Sequence, residues 1–389
     1  MDVKAAGSVA QDQFSKHAGR RKVIIDTDPG IDDMMAILMA FQAPEIEVIG
    51  LTTIFGNVNT DLATINALHL CEMAGHPEIP VAEGPSEPLK RVKPRIAYFE
   101  HGSDGLGETY QAKPNFQKLS KDAADFLIEN VTEFPGEVTV VGLGPLTNLA
   151  LAIQKDSNFA KNVGQLVVLG GSFNASGNVN PAAEANVSLK RQKSHSRNLF
   201  GDPEAADIVF TSGMNTLAIG IDLTTQVIFN EDDLCEIRDS GGDYGKYIYD
   251  CCRFYHDWHL SSDHLDGIFL HDPTCMAALL DPTLFTFKNG AVRVETEGPC
   301  LGHTILGMGL KKYVNIHTLC LAQLPSKLYL LSSSLRCIEE HLLLYQTFIS
   351  VPSAYQSIYI TCSETNQWLC SSKFEIEDAH YRVLNFIAT

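Results

Sequence analysis

Short continuous apolar runs alternate along this chain with longer segments in which apolar residues recur at helical spacing. The short runs at residues 23–25, 47–53, 138–142 and 165–169 read as strands. The longer pattern at residues 34–41, 61–74, 121–130 and 146–154 reads as helices. A strand buried on both faces loses the polar alternation of a half-exposed one. The order therefore predicts an α/β fold with a mostly parallel, open sheet and helices on both faces. Ligands of such sheets bind at the carboxyl ends of the strands, where the polar blocks of this sequence fall.

Three parts are expected: a polar leader over residues 1–20, a principal domain over 21–313, and a tail over 314–389. Inside the domain the stretch SLKRQKSHSRN, with four basic residues and no acid, reads as a loop insertion at about 188–199. The tail is rich in Leu, Ser and Cys, holds four of the ten cysteines and carries no recognisable motif.

Composition narrows the class. A chain of 389 residues, 45% hydrophobic and 20% charged, can bury a sizeable core. Its net charge of −18 argues against nucleic acid as a partner, because phosphate binding needs a basic face. No apolar run is long enough to span a membrane. The cysteines lack CxxC spacing and the leader lacks a secretory core, so reduced thiols and a cytoplasmic location are expected.

The chemistry concentrates at Asp26-Thr27-Asp28-Pro29-Gly30-Ile31-Asp32-Asp33, four carboxylates in eight positions between a strand and a helix. Like charges this close cost several kcal/mol unless a cation or well-aimed donors compensate. A bound hard cation is the first expectation, and a solvated capping turn is the bland alternative. An EF-hand is excluded, since Ile31 and Ile37 stand where that loop needs Gly and Glu. A phosphatase of the haloacid-dehalogenase type also opens with Asp-x-Asp after a strand, but Pro29-Gly30 breaks its usual continuation. Gly142-Leu143-Gly144 starts like a dinucleotide fingerprint, yet Thr147 holds the third glycine position. His256 and His259 share a helix face and could form a zinc pair or a substrate contact.

The string DTDPGIDD resembles the signature of the nucleoside N-ribohydrolases, calcium enzymes that cleave the N-glycosidic bond of ribonucleosides. The likeness continues through TTIFGN (52–57), HGSDGLG (101–107), GLGPLTN (142–148), NVNPAAEAN (178–186), DPEAA (202–206) and LHDP (270–273), in family order. Its wording is similar to that of the plant uridine nucleosidases within the family. The resemblance implies a Rossmann-like nucleoside hydrolase fold, a ribonucleoside as small-molecule partner, and a homo-oligomer, dimer or tetramer. It also implies Ca2+ held by Asp28, Asp33 in bidentate mode, Asp272 and the Leu143 carbonyl, with Asp26 beside them.

Calcium acidifies water less than zinc does, so a carboxylate must remove the proton, and Asp28 is the expected general base. By resemblance Asp32, Asn57, Asn178, Glu184 and Asn186 grip the ribose hydroxyls. His271 would assist departure of the base, His101 would contact the base or cover the site, and His259 with Asp263 would recognise the base. The expected reaction is hydrolysis of uridine, with inosine, xanthosine or adenosine as other substrates. The alternatives are a catalytically impaired nucleoside-binding homologue and, behind it, the phosphohydrolase. The insertion beside Glu184 and Asn186 departs from the family pattern. The tail is expected neither to contact substrate nor to supply the family's closing strand and helix.

Overall fold

Val23 and Ile25 pack into one apolar cluster and Ile24 into another, all three fully buried. They form the centre of strand β1 (Arg21–Thr27) in a computed structural model that describes residues 19–90, 94, 96–173, 186, 201–240, 242, 244–307 and 319–323. The chain continues through α1 (Ile31–Gln42), β2 (Ile46–Thr53), α2 (Thr60–Met73), β3 (Val81–Glu83), α3 (Tyr98–His101), α4 (Ala123–Glu133), β4 (Val138–Gly142), α5 (Thr147–Lys155), α6 (Phe159–Asn162) and β5 (Gln165–Leu169). Then come α7 (Pro203–Thr211), β6 (Thr216–Ile219), α8 (Ile221–Thr224), β7 (Ile228–Phe229), α9 (Glu231–Asp239), α10 (Gly245–Ser262), β8 (Ile268–Phe269) and α11 (His271–Leu280). Strands β9 (Thr286–Val294), β10 (Thr304–Gly307) and β11 (Leu319–Gln323) complete the described elements.

Nine of these strands form one sheet in the order β10-β9-β11-β6-β5-β4-β1-β2-β3. From β11 to β3 every neighbouring pair is parallel, while β9 and β10 add an antiparallel edge. Alternate residues divide between the two faces: Val141, Val167 and Leu217 join Val23 and Ile25, whereas Val140, Leu166 and Ala218 join Ile24. Both faces are covered, so the strands read as unbroken apolar runs, as the sequence led one to expect.

The order 3-2-1-4-5-6 places a topological switch between β1 and β4. Helix α1, which follows β1, is buried along most of its length and packs with α10 and α11 on the Val23 face. Helix α5, which follows β4, packs Leu149, Ala150 and Ala152 on the Ile24 face. The two connections leave the sheet on opposite sides, which opens a crevice at the carboxyl ends of β1 and β4. Helix α1 begins at Ile31, three residues before the apolar pattern suggests, because Asp33 accepts a hydrogen bond from the Gly30 amide. Asp32 and Asp33 thereby lie in the first helical turn, at the positive end of the helix dipole.

One expectation is corrected here. Strand β11 lies beyond residue 313, yet it sits in the sheet between β6 and β9 and registers with both. The tail therefore does supply a closing strand. Its apolar composition blends with the flanking sequence, and only distant partners define it. Residues 188–199, Asn178, Glu184, the leader up to residue 18 and residues 324–389 lie outside the described residues. Among the described helices none is long and apolar enough to cross a membrane.

The backbone amides of β11 should exchange with deuterium as slowly as those of Leu217 and Ala218, their register partners in β6. Hydrogen exchange read by mass spectrometry checks this, and rapid exchange of β11 beside a protected β6 would remove it from the sheet.

Candidate active site

Asp33 organises the turn after β1. It is fully buried, and its Oδ1 accepts from the Thr27 hydroxyl and from the Asp28 amide at 3.3 Å. Its Oδ2 accepts from the Gly30 amide at 3.1 Å and from Asn57 Nδ2 at 2.8 Å. These four donors meet the roughly four acceptor positions that a carboxylate offers, so a cation would share Asp33 with them.

Asp28 is held differently. Its Oδ2 accepts the Asn57 amide at 2.7 Å, while its Oδ1 is buried with no partner among the described residues. Gly56 and Gly144 flank this carboxylate so closely that a Cβ on either would collide with it. The family-like blocks around residues 56 and 144 thus need glycine for contact with Asp28. Asp32 Oδ1 and Asp272 Oδ1 are likewise buried without partners. Carboxylate oxygens of Asp32, Asp33 and Asp272 all lie within 4.8 Å of one another. Asp32, expected on the sugar, therefore belongs spatially to the cation-binding set as well.

Burial pushes Asp28, Asp32 and Asp272 well above the usual carboxylate range, and neighbouring charges push them further: Asp33 on all three, Asp32 on Asp28 and Asp272, and Glu100 on Asp32. At such separations each pair of full charges repels by roughly 3 kcal/mol at an effective dielectric of about 20. Among the described residues no Lys or Arg pairs with any of them; the nearest basic group is the His101 ring, 4.0 Å from Asp32. Buried, partnerless oxygens from hard carboxylates fit a hard divalent cation better than a soft one. Asp26 stands behind Asp28, with Oδ1 accepting from Thr52 Oγ1 at 2.5 Å and Asn148 Nδ2 at 2.7 Å. Burial raises it from 3.8 to about 7.

The remaining expected residues are held by neighbouring elements. Asn186 Nδ2 donates to the carbonyls of Leu143 at 2.6 Å and Leu169 at 3.2 Å, clamping the loops that follow β4 and β5. Its amide group is thus engaged by strand ends, and the Leu143 carbonyl already accepts one hydrogen bond. His101 is buried, and its Nδ1 accepts the amide of Ile31, the first residue of α1, at 3.2 Å. Burial lowers it to about 3, so the ring is neutral and capping α1 is its observed task.

His259 sits on α10 with Nδ1 2.8 Å from Asp263 Oδ2, which leaves Nε2 as an acceptor that is buried and unpartnered among the described residues. His256 pairs instead with Asp266 at 3.1 Å. No His joins the metal-competent group among the described residues, so the zinc pair is not assembled. His271, the first residue of α11, lies next to Asp272 with Nδ1 2.6 Å from Thr224 Oγ1. Burial lowers it to about 3 as well.

An aromatic wall joins these histidines. Tyr255 lies 5.3 Å from His101 and 4.4 Å from His259, and Phe269 lies 5.0 Å from His259 and 5.6 Å from His271. Tyr255, Trp258 and Phe269 were not foreseen from the sequence, although Tyr255, Trp258 and His259 have the spacing of one helix face. Thr224 carried no local signal, and Thr52 and Asn148 stood only inside the TTIFGN and GLGPLTN blocks with no role of their own.

Replacing Asp272 with its neutral isostere should separate repulsion from ligation. Asp272→Asn should raise the melting temperature of chelator-treated protein by a few degrees and lower that of cation-saturated protein, as differential scanning fluorimetry would read. The metal-free fold should also weaken with rising pH. Asp26, Asp28, Asp32 and Asp272 titrate higher when folded, so their stabilising contribution is full below about pH 4 and is lost as pH rises through the folded values. For Asp26 that value is about 7. Thermal melts across this window, with and without a divalent cation, should show a fall that the cation suppresses.

Comparison with known proteins agrees with this geometry. The family model described as inosine-uridine preferring nucleoside hydrolase matches residues 23–323. The chain is 58% identical over 294 residues to a probable uridine nucleosidase 1 of Oryza sativa subsp. japonica, covering 76% of this chain and 87% of that one. It is 56% identical over 302 residues to uridine nucleosidase 1 of Arabidopsis thaliana, covering 78% and 85%. Among solved structures, a plant nucleoside hydrolase, the PpNRh1 enzyme, superposes with a TM-score of 0.73 at 48% identity, covering 79% of this chain and 95% of that one. With the acidic crevice at its switch point and a match that runs from β1 through β11, this chain belongs to the inosine-uridine preferring nucleoside hydrolase family.

Proposed function

We propose that this enzyme hydrolyses the N-glycosidic bond of ribonucleosides, with uridine as principal substrate and Ca2+ as resident cation. One observation carries the reading: three buried carboxylate oxygens, on Asp28, Asp32 and Asp272, lack partners among the described residues in the switch-point crevice. Uridine is favoured because the plant relatives at 56–58% identity are named uridine nucleosidases. Inosine, xanthosine and adenosine are secondary candidates. The all-oxygen donor set favours calcium over a softer metal.

A calcium ion held by Asp28, Asp32, Asp33, Asp272 and the Leu143 carbonyl would supply positive charge against which water and sugar hydroxyls are oriented. Asp28 acts as general base through Oδ1, which no donor among the described residues engages, while the Asn57 amide fixes Oδ2. Departure of the base leaves positive charge on the ribose ring, and the surrounding carboxylates oppose it favourably. Asp32, Asn57 and Asn186 are assigned to the sugar hydroxyls, as the family resemblance also assigns Asn178 and Glu184, which lie outside the described residues. The base lies against the wall formed by His101, Tyr255, His259 and Phe269. His271, neutral in its half-buried setting, offers a hydrogen bond to the departing base.

Incubation of uridine with the full chain should release uracil and reducing sugar, and a chelator should stop the release. Asp28→Asn should bind the cation in calorimetric titration but lose about 10²- to 10⁴-fold in kcat. Full turnover in Asp28→Asn would remove it as the base, and wild-type protein that releases no reducing sugar from any nucleoside would overturn the reading.

A further inference from the structure

Thr224 ends α8 and His271 begins α11, yet Thr224 Oγ1 stands 2.6 Å from His271 Nδ1. Thr224 is completely buried, and this imidazole is its hydroxyl's sole partner among the described residues. The direction of that hydrogen bond decides what His271 presents to the crevice.

A hydroxyl has one donor proton and two acceptor lone pairs. Were the imidazole to donate from Nδ1, the Thr224 proton would be left buried without an acceptor. Were Thr224 to donate, only a spare lone pair would go unused, and orphaned buried donors are the costlier and rarer case. Among the described residues no carboxylate stands ready to hold an imidazolium at His271: the histidine–carboxylate contacts near here are His101–Asp32, His256–Asp257, His256–Asp266 and His259–Asp263. The ring is half-buried, with its Nδ1 edge turned to buried Thr224.

We infer that Thr224 is a positioning residue: its hydroxyl donates to Nδ1 and holds His271 as the Nε2–H tautomer, so that this N–H is the edge presented to substrate. The contrast with His259 follows from the same logic. There Nδ1 faces the Asp263 carboxylate, so Nε2 is an acceptor; at His271 Nδ1 faces a hydroxyl donor, so Nε2 is a donor. The two imidazoles thus present opposite hydrogen-bonding edges. The purpose of the donor edge rests on the nucleosidase reading, in which a departing base gathers negative charge on its carbonyl and ring atoms and an N–H aimed at them lowers the barrier.

The test uses the full chain labelled with ¹⁵N-histidine and saturated with calcium, read by long-range ¹H–¹⁵N correlation, with the His271 signals assigned through their loss in His271→Asn. Wild type and Thr224→Ser should show Nε2 protonated and Nδ1 bare, whereas Thr224→Val should shift His271 toward the Nδ1–H form. In uridine hydrolysis Thr224→Val should lower kcat roughly ten- to a hundredfold, with KM changed less than about twofold, and Thr224→Ser should recover most of the loss. An Nδ1–H tautomer or an imidazolium in the wild type would overturn the inference, as would a Thr224→Val spectrum identical to wild type. Should Thr224→Val fail to fold, the wild-type and Thr224→Ser spectra decide alone. Absence of uridine cleavage beside an intact Nε2–H tautomer would sustain the Thr224 assignment and sink the functional reading instead.

Discussion

Mutual repulsion among buried carboxylates is the constraint around which this molecule is arranged. Asp28, Asp32, Asp33 and Asp272 converge at one end of the sheet without a Lys or Arg partner among the described residues. Such an assembly persists only if protons or a cation neutralise it. The fold brings it together through its topology, because β1 and β4 send their helices to opposite faces and leave their carboxyl ends open. Asp33 ties the turn by accepting four hydrogen bonds, and glycines at 56 and 144 let Asp28 approach the backbone. Asp272 arrives from α11, which packs directly against α1.

Above the acidic floor the chemistry changes character. His101, His259 and His271 are all depressed by burial and stand among Tyr255, Trp258 and Phe269. A cation and a sugar suit the floor, whereas a planar, weakly polar base suits the wall. In the proposed reaction this partition would set charge beside the developing ribosyl cation and apolar contact beside the departing base.

What was legible from the sequence was local. Four Asp residues within eight positions identify the acidic turn without any fold, and unbroken apolar runs locate β1, β2, β4 and β5 to within a few residues. The sense of the sheet followed from the alternation of strand and helix. What depends on distant partners was not legible. His101 caps a helix 70 positions away, Asn186 bridges Leu143 and Leu169, and Thr224 meets His271 across 47 positions. The family resemblance suggested base contact for His101 and sugar contact for Asn186, but an imidazole or an amide in such a loop gives no sign of which backbone groups it also meets. The closing strand escaped for the same reason: β11 is defined by its neighbours β6 and β9, and nothing in an apolar segment surrounded by apolar sequence distinguishes it.

The central claim is that these carboxylates are gathered for a cation. Anomalous diffraction from crystals grown with Mn2+ or a lanthanide in place of calcium tests it most directly. The account predicts one strong peak per chain within coordinating reach of Asp28 Oδ1 and of the Asp32 and Asp272 carboxylates, about 2.3–2.6 Å for a calcium-like ion. A well-ordered site with no peak there, its carboxylates sharing protons instead, would contradict it.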